Sequence, residues 1–109
     1  MIVLHVAGVH VTPNGTVAVT YYDFRNNTPD ISTLPTDAFA VFSHDGGQTF
    51  GGEVRLTPMS FDLDLAPHAG GLFLGDYVGL SHTGSTFVPF YTQTVSASNP
   101  TDIFASFVP

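Results

Sequence analysis

Ser43-His44-Asp45-Gly46-Gly47-Gln48-Thr49-Phe50 lies between two apolar runs, Ala38–Phe42 and Glu53–Thr57. A carboxylate at position 45 can accept backbone N–H groups inside a tight turn. Glycine at 47 permits a backbone angle that other residues resist. The stretch therefore predicts a compact turn between two antiparallel strands. Two further tight turns flank it at a distance. Pro13-Asn14-Gly15 joins apolar runs, and an Asn-Gly pair there is a strong hairpin signal, because both residues tolerate positive φ. His82-Thr83-Gly84-Ser85 has the same character.

Strands are predicted at 3–11, 16–23, 38–43, 53–57, 76–82, 86–93 and 102–108. Long polar connections fall at 24–37, 58–75 and 94–101. No stretch carries a clean helical period. Val17-Ala18-Val19-Thr20-Tyr21-Tyr22 is apolar on both faces, which predicts a strand covered on both sides, as in stacked sheets. The pattern repeats. Thr36–Phe42 is similar to Thr101–Phe107, and Thr16–Tyr21 is loosely similar to Thr86–Tyr91. Repeated four-stranded meanders are the units of a propeller. The expectation is all-β, with antiparallel four-stranded meander blades and about two of them. Residues 1–58 form a blade containing the turn, and residues 59–109 form a following, incomplete blade.

Composition narrows the partners. The 109 residues are 43% hydrophobic and 10% charged, enough apolar material for a core and too little charge for a disordered chain. There is no Lys, Arg25 and Arg55 are the only arginines, and the net charge is −7. Phosphate recognition needs clustered cations, so nucleic acid is excluded as a partner, and anionic lipid surfaces with it. With no Cys, there is neither a disulfide framework nor a thiolate metal site. Met1–Val6 reads as the start of a strand, without the basic and long apolar regions of a secretory signal.

Ser43-x-Asp45-x-Gly47-x-Thr49-Phe50 resembles the Asp-box, Ser-x-Asp-x-Gly-x-Thr-Trp, with Phe in place of Trp. Asn14–Val17, Tyr21–Arg25 and Phe73–Leu80 are similar to segments of bacterial sialidase-like, or exo-α-sialidase-like, Asp-box propellers. The resemblance implies that the chain is the C-terminal piece of such a propeller, secreted or periplasmic in its parent. The box would join the third and fourth strands of a blade, with Phe50 tucked beneath it as an apolar plug. It would lie opposite the active face, so Asp45 is structural.

The resemblance also implies a chemistry. Family sialidases grip the substrate carboxylate with an arginine triad, because guanidinium forks hold carboxylates at two points. They use a Tyr nucleophile assisted by Glu and an Asp acid/base. Meander geometry puts the tight turns at one end and the long loops at the other, where sites are usually built. The candidates at that end are Asp23, Asp76 and Tyr77 for catalysis, and Arg25 and His68 for glycan binding. Two arginines do not make a triad. Glu53, the only Glu, follows the box on the side expected to lie away from the site. The alternative readings are a non-catalytic module binding glycan or protein, and a purely structural segment.

Further chemical readings are sparser. Asp62 and Asp64 alternate with Phe61, Leu63 and Leu65, so an extended chain would aim both carboxylates one way, as a Ca²⁺ site needs. His5 and His10 have opposite strand parity and do not pair for zinc. Two lone blades leave apolar faces open, so the remaining blades or a second copy are the expected cover.

Overall fold

A computed structural model describes residues 3–66, 79–96, 98 and 102–108, with backbone alone for residues 3–7. The chain is all-β, and every strand pairing is antiparallel. The first sheet contains β1 (Val3–Val11), β2 (Val17–Asp23), β3 (Pro35–Ser43) and β4 (Gly51–Arg55), in that order. β5 (Phe61–Asp62) extends it by pairing with the start of β3. A short 3-10 turn, Leu63–Leu65, follows. The second sheet is β6 (Gly79–Thr83), β7 (Thr86–Gln93) and β8 (Asp102–Ala105), again in chain order.

Strand placement follows the sequence closely, with differences. β4 spans Gly51–Arg55 rather than 53–57, and β5 lies within the connection expected at 58–75. Residues 76–78 of the expected strand 76–82 lie outside the described residues. β3 begins at Pro35, ahead of the expected 38, because Pro35 and Thr36 find partners in Asp62 and Phe61. The last strand stops at Ala105 rather than 108. Val108 instead exchanges two backbone hydrogen bonds with Phe87, at 2.7 and 2.8 Å. The first turn also departs in detail. Its only positive φ is at Gly15 (88°), with Asn14 in an ordinary conformation. Pro13 fixes the first bend, and Gly15 supplies the left-handed step that returns the chain to the strand.

The two sheets pack face to face. Ala18, Tyr22, Ala38 and Ala40 of the first sheet share one core with Phe87 and Tyr91 of the second. Small residues on β2 and β3 let the aromatic rings of β7 approach, and Phe42 meets Phe87 with ring centroids 5.4 Å apart. Two tyrosine hydroxyls make hydrogen bonds across this layer. The Tyr22 hydroxyl donates to the Thr92 carbonyl (2.6 Å) and accepts from the Thr92 amide (2.8 Å). The Tyr91 hydroxyl donates to the Leu56 carbonyl at 3.1 Å. Burial pushes the Tyr22 phenol up to about 12.

The opposite face of the first sheet is covered at the loop end, where Phe39, Asp23 and Asp37 are buried, and open toward the tight turns. Val9, Val19 and Val41 align across β1, β2 and β3 on the opposite face, with Val11 and Val17 beside them. Val9 is 65% and Val11 54% exposed. The second sheet likewise turns Phe90 and Ile103 outward, the latter 72% exposed. The apolar residues expected to be buried on both sides of β2 are thus buried on one side and half-buried on the other.

Candidate functional site

The connection between β3 and β4 is held by side chains folded back on their own backbone. The Ser43 hydroxyl donates to Asp45 Oδ1 (2.8 Å) and accepts from the Gly47 amide (2.9 Å). Asp45 then accepts from the Thr49 amide at 2.9 Å and from its hydroxyl at 2.5 Å. Gly46 and Gly47 both adopt positive φ, 74° and 89°. Hydrogen bonds from the Thr49 hydroxyl and amide, then from Ser43, hold the Asp45 carboxyl down at about 2. Every polar residue expected to build this turn takes part in it. Phe50 does not tuck beneath it and remains 47% exposed. The glycines 51 and 52 that follow give its ring no side chain to lean on.

At the long-loop end, Asp23 and Arg25 come together as a local ion pair. Arg25 Nε donates to Asp23 at 2.8 Å, and Nη2 lies 2.6 Å from the same carboxylate, whose side chain is 0% exposed. Arg25 also binds Glu53 through both terminal nitrogens, and its guanidinium lies 3.6 Å above the centre of the Phe39 ring. The Tyr21 hydroxyl donates to Glu53.

Glu53 was expected on the side away from this end, and its meeting with Tyr21 and Arg25 is a correction. Arg55 pairs with Phe39, which pairs with Tyr21. Glu53, two residues from Arg55 on β4, therefore shares their face. Arg25 and then Tyr21 lower the Glu53 carboxyl. Hydrogen bonds from Glu53 and then Asp23 raise Arg25 further. Burial, and then the hydrogen bond to Glu53, push the Tyr21 phenol up to about 12. A phenol held this way resists ionisation, the reverse of what a nucleophile needs.

The second arginine is engaged as well. Arg55 Nε donates to Asp37 Oδ1 at 2.9 Å. That buried carboxylate also accepts from Asn26 (2.9 Å), Thr57 (2.5 Å) and Ser60 (2.5 Å). Burial raises the Asp37 carboxyl, but the four hydrogen bonds outweigh it and the net direction is down. Asp37 thus ties the loop after β2 to the loop after β4. The sequence reading did not single it out. Its burial beside a strand pairing was not visible from the chain alone.

Asp62 and Asp64 do not share one face of an extended strand. The chain is extended only at 61–62 and then turns into the 3-10 segment. Asp62 caps that turn, accepting from the Leu34 amide (2.9 Å) and the Asp64 amide (3.0 Å), while Asp64 is exposed. Among the described residues no group of three His, Cys, Asp or Glu is gathered. His68, Asp76 and Tyr77 lie outside the described residues.

The tight-turn end carries an arrangement the sequence did not suggest. A cleft of about 640 Å³ opens there between the sheets, with Thr16, His44, Ser85 and His82 around Phe42 and Phe87. Beside it, His10 Nε2 of β1 meets His82 Nδ1 of β6 at 2.6 Å. Phe87 stands edge-on to the His10 ring, with centroids 6.2 Å apart. His44 Nδ1 pairs with the Thr16 hydroxyl at 3.2 Å. These histidines are far apart in sequence, and only the stacking of the sheets brings them together.

Comparison with known proteins finds no matching family model, no matching curated protein and no matching solved structure.

Proposed function

We propose that this chain is a pair of adjacent blades of a sialidase-like Asp-box β-propeller, serving as scaffold and glycan- or protein-binding module rather than as a complete glycosidase. The observation that carries this reading is the Ser43–Thr49 turn. Its hydrogen bonds use the Ser, Asp, Gly and Thr positions of the Asp-box, and it connects the third and fourth strands of an antiparallel meander. Face-to-face packing of that meander on a second one supports the same reading, as do the apolar outer faces of both sheets. In a propeller, those faces meet further blades.

The site chemistry favours the scaffold over the catalyst. Asp23 and Arg25 hold each other, Glu53 binds the same arginine, and Arg55 serves Asp37. Gripping a substrate carboxylate would require breaking one of these pairs. Incubation with a fluorogenic sialoside, together with a glycan array, tests the assignment. The expected result is no turnover, with or without glycan retention. Turnover that is abolished by Tyr77→Phe contradicts it and restores the glycosidase.

A further inference from the structure

We infer that His10 and His82 form an acid-opened latch between the two sheets. The two rings belong to different sheets, and their facing nitrogens are 2.6 Å apart, with centroids at 4.9 Å. A nitrogen-to-nitrogen hydrogen bond needs one protonated and one bare nitrogen. The neutral pair satisfies this, and the donor ring can take up one further proton on its outward nitrogen while the bond persists. A second proton must go to the acceptor nitrogen. That removes the bond and places two cations in contact across the sheet interface.

Among the described residues, nothing around the pair offsets that charge. β7 presents the edge of Phe87 and carries no charged residue, and β2 presents Ala18. His10 and His82 are the titratable groups that β1 and β6 turn toward each other. The β3–β4 turn adds His44, paired with Thr16, and Asp45, committed to Ser43 and Thr49. The segment through Val108 is uncharged at this point. Among the described residues no carboxylate forms an ion pair with a histidine. Acidification that protonates both rings therefore separates β1 from β6 and opens the sheets beside the cleft.

Thermal unfolding from about pH 7.5 to about pH 5 tests the latch on the wild-type chain, His10→Gln and His82→Gln. The glutamine variants keep a neutral hydrogen-bonding group and cannot acquire two charges. The expected result is a fall in the wild-type Tm of about 5 °C or more over this range, at least halved in either variant. Equal falls in wild type and variants overturn the latch. Should a variant not fold, imidazole NMR of the wild type decides. Two separated ionisations for these rings support the latch, and a single shared ionisation step overturns it.

Discussion

Asp23 and Asp37 lie opposite each other across β2 and β3, both buried, and each holds one of the chain's two arginines. The polar end of the first sheet is built around this pair. A chain with net charge −7 places its only cations where two carboxylates are removed from water. Asp23 fixes the start of the loop after β2 through Arg25, and Asp37 fixes both neighbouring loops.

Asp37→Ala is expected to cost about 3 kcal/mol. It leaves Arg55, Thr57, Ser60 and Asn26 without their common acceptor. Urea unfolding measures the loss. A change within about 0.5 kcal/mol, the usual range for surface substitutions, contradicts the role given to Asp37.

Acid should destabilise the chain in a second window, below that of the histidines. Asp37 and Asp45 both have carboxyls held below their ordinary values by hydrogen bonds in the folded state. Their contribution is therefore complete above the unfolded carboxyl value of about 4 and is lost as pH falls below it, toward about 2 for Asp45. Melting curves taken through this window should show a steep decline that Asp45→Asn makes shallower. Superimposable curves for the two proteins would count against the turn geometry.

Tyr22→Phe is expected to cost about 1–3 kcal/mol, because it leaves the Thr92 amide and carbonyl unpaired inside the sheet interface. Tyr91→Phe removes one strong bond, to the Leu56 carbonyl, and a longer contact to the Ser106 hydroxyl at 3.4 Å, and should cost less. Comparing the two by chemical denaturation tests this order. A loss for Tyr91→Phe as large as that for Tyr22→Phe would contradict the weight given to the Thr92 pairing.

What the sequence disclosed, and what it hid, divides by range. Strand positions and tight turns were legible because Gly15, Gly47 and the apolar runs act locally. Ser43, Asp45 and Thr49 could be assigned to one turn because all three lie within seven residues of chain. Asp23 and Arg25, offered separately as catalytic and glycan-binding residues, are two positions apart and bind each other. The place of Glu53 was not legible, since it depends on β3–β4 register, which is irregular between Ala40 and Phe42. His10 and His82 were hidden too, because no local pattern reports which strands meet when two sheets stack. The Asp62–Asp64 reading failed where a cap turned an extended run into a 3-10 turn.

On the proposed reading, the two sheets are inner layers of a longer stack, with outer faces made to be covered. Size-exclusion chromatography with multi-angle light scattering tests it most directly, on the wild-type chain and on Val9→Lys, which puts a charge on the exposed valine face. The account predicts concentration-dependent self-association of the isolated chain, reduced by Val9→Lys. A wild-type chain that is a well-folded monomer at every concentration would contradict it.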